Sequence, residues 1–320
     1  MDGVAEIYQR FATLEAAGVS PIFEAWARGV SEDPEICALI TSLARSKRQP
    51  NLVFAVARLL GAPEQKYAPF RNWLMTHWSE VVPVAMARST QTNEAARCAV
   101  LLPLLSRLDG PISLIEAGAS AGLCLYPDRY SYRYDVGDSV VALDPSPGPS
   151  DVAIPCLIDE TALPAQLPDV VWRAGVDLNP LNVHDPEQMA WLEALVWPEH
   201  EERRNRLRGA SRIAAAEPAQ LVRGDLLETV PALIAQAPEG STVVVFHSAV
   251  LVYLQAEDRR RFVELMEAYP DVVWISNEGA GVLPSVAEQV RKPVNGRTIV
   301  AVNGKACGLA GPHGQSYESL

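Results

Sequence analysis

The sequence predicts an α/β protein in which an N-terminal helical domain precedes a doubly wound, mostly parallel sheet. Residues 1–108 carry helical patterns and no strong strand, whereas from residue 112 onward short apolar runs alternate with helical patterns. This alternation is typical of a parallel sheet with helices on both faces. The first apolar run ends at Glu116 and leads into a glycine-bearing turn, a common way for α/β proteins to hold a nucleotide-like ligand. We therefore predict domains at 1–108 and 109–320.

Two predicted helices of the N-terminal domain begin with a recognisable capping pair. Ser20-Pro21 and Asp33-Pro34 each combine an N-cap residue with a proline suited to the first helical turn. The pattern predicts helices over about 4–17, 21–29, 34–47, 51–60, 67–82 and 92–108.

The second domain alternates between strand and helix patterns. The predicted strands are 112–117, 170–176, 219–223, 242–247, 271–276 and 297–303. The predicted helices are 120–127, 186–196, 199–215, 226–237 and 257–269. Residues 128–168, rich in tyrosine and then proline, do not fit the alternation, and we interpret them as an inserted hairpin plus loop.

Composition excludes several function classes. A net charge of −12 argues against nucleic acid as the main partner, because phosphate binding depends on clustered Lys and Arg. The sequence has no run of about 18 apolar residues, so we expect no membrane span. The acidic start of the chain does not resemble a signal peptide. The five cysteines form no Cys-x-x-Cys pair and the histidines show no ligand spacing, so we expect no metal site. These observations predict a cytoplasmic protein with a small-molecule partner and leave its oligomeric state open.

The turn at 118–122 fits two ligand-binding or catalytic motifs. It does not match the dinucleotide fingerprint, because Ser120 and Leu123 occupy glycine positions. It matches the nucleophile elbow Gly-x-Ser-x-Gly. It also matches the first motif of class I S-adenosylmethionine (SAM) methyltransferases, an acid followed by Gly-x-Ser/Gly-x-Gly. A close helix–strand crossing without a ligand is the remaining alternative. The residues of the methyltransferase motif are Glu116, Gly118, Ser120 and Gly122.

Two acids follow the next predicted strands. Asp177, before Leu178, has two carboxylate oxygens that suit the hydroxyls of a ribose, although a turn or cap also explains it. Asp225, before Leu226, is equally suited to the adenine end of a cofactor and to a helix N-cap.

His247 ends the fourth predicted strand, where substrate and cofactor would meet. It is a candidate general base or substrate-orienting group, and a structural histidine is the alternative. Ser120, Asp177 or Asp225, and His247 or His313 also follow the chain order of a serine hydrolase. Against that function, the turn follows the first evident strand, and no oxyanion-loop segment precedes it.

A set of segments spread over most of the chain matches one known family. These segments include 91–94 with 97–98, 116–123, 128–132, 173–180, 191–199, 224–225 and 246–251. On these segments the chain resembles the bacterial family of uncharacterised proteins called domain of unknown function 2332. One position differs, since the family usually has Asn where this chain has Cys124.

This resemblance implies a fold similar to class I methyltransferases with a helical N-terminal part, and it supplies no activity. Asn93 and Glu94, in the segment before the first strand, become candidates for contacting substrate or the methionine end of the cofactor, with helix capping by Thr92 or Asn93 as the alternative. Arg129 and Tyr130 become candidates for a wall of the site.

These observations combine into a hypothesis of SAM binding and methyl transfer to a small molecule. The glycine turn would take the methionine moiety, Asp177 the ribose and Asp225 the adenine end, and His247 would face the reacting methyl. A serine hydrolase built on Ser120, and a non-catalytic binding protein with the same fold, remain the alternatives.

Overall fold

The structure is a computed structural model that describes residues 3–91 and 93–320. It divides into two compact units, one formed by 3–91 with 184–205 and the other by 93–183 with 206–320. The predicted division at 108/109 therefore differs in two segments. Residues 93–108 pack with the sheet, and the helical segment 184–205 packs with the N-terminal helices.

Two helices begin where the capping pairs predict, because the side chains of Ser20 and Asp33 accept backbone N–H groups of the first turn that follows. Asp185, which the sequence analysis did not single out, caps a third helix in the same way, and Pro186 follows it. In chain order the α-helices are α1 Val4–Phe11, α2 Pro21–Ser31, α3 Pro34–Thr41, α4 Pro50–Leu59, α5 Tyr67–Ala87, α6 Cys98–Leu105, α7 Pro186–Leu195, α8 Glu201–Ala216, α9 Leu226–Ile234, α10 Ala256–Glu267 and α11 Pro284–Ala287.

The helical unit encloses an aromatic core. The rings of Trp26 and Phe70 stack with centroids 3.9 Å apart, and Phe54 packs edge-on against both. Trp191 of α7 is buried in the same core. Aromatic pairs of this kind add about 1 kcal/mol each beyond the area they bury, so these contacts stabilise the core of this unit together with its aliphatic residues.

The second unit is built on one mixed, mostly parallel sheet of eleven strands. The order across the sheet is β3-β2-β4-β11-β10-β9-β8-β7-β1-β5-β6. The strands are β1 Pro111–Ala117, β2 Ser131–Asp135, β3 Val140–Leu143, β4 Ala153–Ile158, β5 Asp169–Asp177, β6 Gln220–Arg223, β7 Thr242–Ser248, β8 Val273–Gly279, β9 Thr298–Val302, β10 Lys305–Ala310 and β11 Ser316–Ser319.

The five strands β8-β7-β1-β5-β6 run parallel to one another. From β1 the chain passes to β5 and β6 on one side, and then to β7 and β8 on the other. The strand order thus reverses beside β1, and in open α/β sheets ligands bind outside the carboxyl ends of the strands at such a reversal. This edge of the sheet contains Glu116, Asp177 and His247.

The inserted segment differs from the prediction. Residues 128–168 do not form a separate hairpin and loop: β2 and β3 make the hairpin, but β2 also pairs with β4, and β4 pairs with β11 of the main sheet. The described residues thus form one continuous sheet, and the insertion extends it.

Candidate ligand site at the carboxyl ends of the parallel strands

The turn after β1 has the backbone geometry that its glycines predict. Gly118, Ser120 and Gly122 have φ values of 78°, 50° and 71°, in the left-handed region that favours glycine. A side chain at Gly118 would lie 2.4 Å from Cγ2 of Val250, so the segment after β7 packs directly on this turn. Gly118 is therefore required both for its conformation and for this close approach.

The helix predicted at 120–127 is absent, which corrects the sequence-based expectation. A single 3₁₀ turn covers Leu123–Leu125 instead. Pro127 supplies the reason, because it disfavours helical backbone at Tyr126 and leaves too few residues after Gly122 for an α-helix. The turn therefore offers no row of free helix N-terminal N–H groups to a ligand.

The N–H groups of the turn are instead used inside the protein. Those of Gly118 and Ala119 both donate to the carbonyl oxygen of Val176, at 2.8 and 3.1 Å, and that of Gly122 donates to the carbonyl oxygen of Ala119. The N–H groups of Ser120 and Ala121 donate to side chains described next. A ligand at this site would thus be held by side chains.

Asp177 joins the end of β5 to the turn after β1. Its Oδ2 accepts the N–H of Ser120 at 2.8 Å, and its Oδ1 accepts the N–H of Asn179 at 2.7 Å. Glu116 and Asp177, which the sequence predicts at one site, therefore lie on neighbouring strands, since β1 and β5 pair in parallel. Leu178, directly after Asp177, is 73% exposed and leaves an apolar surface beside the carboxylate.

Asp225 follows the next strand and caps α9, accepting the N–H of Leu227 at 2.8 Å. It is exposed, and Leu226 beside it is buried. The N–H of Gly224 donates to the carbonyl oxygen of Asp177, which brings the ends of β5 and β6 together. The structure thus places Asp177 and Asp225 at the ends of adjacent strands.

Glu116 is 6% exposed, and its Oε2 has no hydrogen-bond partner. Burial is the largest cause that raises the pKa of this carboxyl well above its usual value. Cys124 raises it further, Arg97 lowers it, and Asp177 raises it. A buried acceptor without a donor is rare in folded proteins and calls for an explanation, such as a ligand or an ordered water.

Asn93 and Glu94 have structural contacts at this site. The amide of Asn93 donates to Oγ of Ser120 and accepts the N–H of Ala121 at 2.9 Å, so it holds the turn from the outside. The Glu94 carboxylate is buried, accepts the N–H of Ala96 and pairs with Arg206 at 3.0 Å. Thr92, the alternative cap, lies outside the described residues.

Arg129 and Tyr130 occupy different environments. The Tyr130 ring is fully buried and its hydroxyl donates to the carbonyl oxygen of Leu123 at 2.6 Å, so it supports the 3₁₀ turn from below. Arg129 is partly exposed, and its Nη2 pairs with Oε2 of Glu217 at 2.7 Å. The structure does not bring these two side chains together as one wall of a site.

His247 differs from its predicted placement facing the reacting methyl. It is fully buried, Nδ1 donates to Oε1 of Glu278 at 2.7 Å, and Nε2 accepts the indole N–H of Trp274 at 3.0 Å. Because Glu116 is in register with Phe246, alternation puts His247 on the opposite face of the sheet from Glu116. Both ring nitrogens are engaged, so this geometry gives His247 a structural role.

Several polar residues near Glu116 were not assigned from sequence. Arg97 donates from Nη1 to the carbonyl oxygen of Ser248 at 3.0 Å, and from Nε to that of Pro312 at 3.2 Å. Asn277 donates to Oγ of Ser248 at 3.0 Å. A usable signal was present, because Asn277 follows the apolar run of β8 much as Glu116 follows that of β1.

The fold is that of an α/β protein with a large, mostly parallel sheet, and the carboxyl ends of its parallel strands form a candidate ligand site. Over residues 5–318 the chain matches the family described as "Uncharacterized protein conserved in bacteria (DUF2332)". It therefore belongs to that family, in agreement with the sequence resemblance. No curated protein and no solved structure matches the chain.

Two further observations concern the described residues only. Within 3–91 and 93–320, none of the helices combines the length and apolar character needed to cross a bilayer. Within the same ranges, no group of three or more His, Cys, Asp or Glu side chains is arranged to hold a metal ion.

Proposed function

We propose that the protein binds SAM at the carboxyl ends of β1, β5 and β6 and transfers its methyl group to a small molecule. The observation that carries this proposal is Asp177, a carboxylate fixed between the glycine turn and the next strand and flanked by the exposed Leu178. The parallel order β6-β5-β1-β7-β8, numbered along the chain as 3-2-1-4-5, supports a doubly wound, Rossmann-like core similar to class I methyltransferases.

Three carboxylates would share the cofactor between them. Asp177 uses two of its roughly four acceptor positions for backbone N–H groups and keeps two for ribose hydroxyls. Asp225 would accept the adenine amino group, with Leu178 and Leu226 lining the apolar ring. A cationic ligand beside the buried Glu116 would favour its ionised form, because an opposite charge lowers the pKa that burial raises.

SAM supplies an electrophilic methyl on a sulfonium, so the protein needs mainly to position the acceptor and exclude water. This fits the engaged state of His247, since a base is required only where the acceptor must lose a proton. A non-catalytic protein would also bind the cofactor, and so binding and turnover need separate measurements.

The first experiment is a titration with SAM followed by thermal shift and calorimetry. A ligand at 100 times its dissociation constant stabilises the folded state by about 2.7 kcal/mol, which is readily measured. We expect Asp177→Ala to raise the dissociation constant for SAM at least tenfold. The matched control is Asp258→Ala, which removes a surface carboxylate of α10 paired with Arg261. No stabilisation of the wild-type protein by SAM would reject the proposal.

The second experiment separates an enzyme from a binding protein. Bacterial small-molecule extracts are incubated with the protein and methyl-labelled SAM, and labelled products are counted. We expect label transfer that disappears in Asp177→Ala and persists in Asp258→Ala. SAM binding without transfer across many extracts would favour the non-catalytic alternative.

A further inference from the structure

We propose that Asn277 and Glu116 form the acceptor side of a subsite for a small primary amine, which makes the methyl acceptor an amine. Only the methyl-transfer step of this inference rests on the proposed function. The amine subsite itself is argued from unpartnered buried oxygens. It concerns the ends of β1, β7 and β8.

The two side chains lie on the same face of the sheet. Glu116 of β1 is in register with Phe246 of β7, and Ser248, two residues further along β7, is in register with Asn277 of β8. Side chains two residues apart on a strand share a face, and registered neighbours in a parallel sheet do so as well. Glu116, Ser248 and Asn277 therefore line one face at the carboxyl ends of three adjacent strands.

Both side chains are buried and each keeps an oxygen without a donor. Asn277 is 1% exposed; its Nδ2 donates to Oγ of Ser248, and its Oδ1 has no hydrogen-bond partner. Oε2 of Glu116 is likewise buried and has no hydrogen-bond partner. Two unpartnered acceptors on one buried face are complementary to a group that brings several hydrogen-bond donors and no acceptor. A protonated primary amine has three such donors.

The two unpartnered oxygens suit an ammonium better than an alcohol, because an ammonium brings three donors and no acceptor. Arg97 is the nearby cation, but its guanidinium donates to the carbonyl oxygens of Ser248 and Pro312. Its charge leaves the pKa of Glu116 raised, because burial outweighs it. An ammonium group beside Glu116 would supply the missing counter-charge and hydrogen bonds at once.

The chemistry balances with SAM as the named co-reactant. The bound ammonium first gives one proton to the Glu116 carboxylate and becomes a neutral amine. Its nitrogen lone pair then forms a bond to the methyl carbon while the carbon–sulfur bond breaks, and that electron pair stays on sulfur. The products are a methylammonium, a neutral thioether and a protonated Glu116, which returns its proton to solvent.

The test measures binding of n-butylamine and 1-butanol at pH 7 by calorimetry, without SAM. We expect the amine to bind at least tenfold more tightly than the alcohol. Asn277→Leu removes the acceptor and should weaken the binding of n-butylamine at least tenfold. Asn277→Asp keeps an acceptor and should bind n-butylamine as tightly as the wild type or more tightly. Ser276→Ala is the matched control, because it alters the same strand on the opposite face.

The possible results separate this inference from the proposed function. Equal binding of amine and alcohol, no binding of either, or unchanged amine binding in Asn277→Leu would overturn the amine subsite, even if SAM binds. Selective amine binding that depends on Asn277, in a protein that SAM does not stabilise, would keep the subsite and reject the methyl-transfer proposal. The Asn277→Asp variant distinguishes a lost contact from a misfolded protein.

Discussion

Nδ1 of His247 donates a hydrogen bond to Oε1 of Glu278 across 2.7 Å, deep between β7 and β8. The same carboxylate oxygen accepts the N–H groups of Val250 and Leu251, at 2.9 and 3.0 Å. Glu278 therefore fixes the segment after β7, which packs through Val250 on the glycine turn. A residue remote from Asp177 in sequence thus shapes the edge where the proposed ligand binds.

The first prediction concerns Glu278 and pH. Burial alone would raise the pKa of Glu278, but hydrogen bonds from His247 and two backbone N–H groups lower it overall from 4.5. A carboxyl whose pKa is lower in the folded state stabilises the protein above pH 4.5, and this contribution is lost as the pH falls through the folded-state pKa. Glu278→Gln should therefore cost on the order of 2 kcal/mol at pH 7.

Urea unfolding from pH 3 to pH 8 checks this prediction. The free energies of unfolding of the wild type and Glu278→Gln should converge at the acid end of the series. Glu264→Gln on the surface of α10 is the matched control and should change stability by less than about 0.5 kcal/mol. A constant difference across the whole pH series would contradict a role for the ionised carboxylate.

The second prediction has the opposite sign. Because the pKa of Glu116 is raised in the folded state, its ionisation opposes folding, and its contribution to stability falls as the pH rises from 4.5 toward the folded-state pKa. Glu116→Gln mimics the protonated side chain and should stabilise the ligand-free protein at pH 8 by on the order of 1 kcal/mol. Below pH 4 the two proteins should be equally stable. Thermal unfolding at both pH values decides it, and a destabilised Glu116→Gln at pH 8 would show that the carboxylate has a partner.

The approach of Asp177 to the glycine turn was predictable because both follow apolar runs of a predicted parallel sheet. The carboxyl ends of neighbouring parallel strands meet at one edge, so the local pattern determines which residues gather there. The surroundings of His247 were not predictable in this way. Its face depends on the register of β7 against β1, and its partner Glu278 lies 31 residues further along the chain.

Two features of the fold depended on prolines. Pro155 lies inside β4, opposite Arg133 of β2, and a proline within a run argues against a strand, so the pattern there favoured a loop. Pro127 disfavours helical backbone just after Gly122, and its position was the sequence signal that no helix begins at residue 120. The engagement of the turn's N–H groups with Val176 and Asp177 involves partners more than 50 residues away, which periodicity cannot reveal.

The third prediction tests the packing of Val250 on Gly118. Gly118→Ala combines left-handed strain, about 1 kcal/mol, with a clash against Val250, and should cost about 3 kcal/mol. Gly240→Ala is the matched control, because its φ of 82° is similar and its Cβ would meet nothing within 4 Å. In a Val250→Ala background the cost of Gly118→Ala should fall to that of Gly240→Ala. Urea midpoints of the wild type, the three single variants and the double variant test this, and an unchanged cost in that background would show that the contact is not the cause.

The last prediction addresses the serine hydrolase alternative. Ser120 has the left-handed backbone that a strained nucleophile turn would need, with a φ of 50°. Its hydroxyl, however, accepts a hydrogen bond from Asn93, and His247 is engaged by Glu278 and Trp274. A serine needs an adjacent base to become nucleophilic. We therefore expect the wild type to hydrolyse p-nitrophenyl esters no faster than Ser120→Ala.

The comparison needs a variant that disturbs the turn and keeps the hydroxyl. Asn93→Ala serves, because it removes both bonds from Asn93 to the turn and leaves Ser120 in place. Equal background rates in all three proteins, with SAM stabilisation weakened in Asn93→Ala, would assign Ser120 and Asn93 to the shape of the turn. Ester hydrolysis that disappears in Ser120→Ala alone, and survives in Asn93→Ala, would instead require a base to approach Ser120 and would return the hydrolase as the better function.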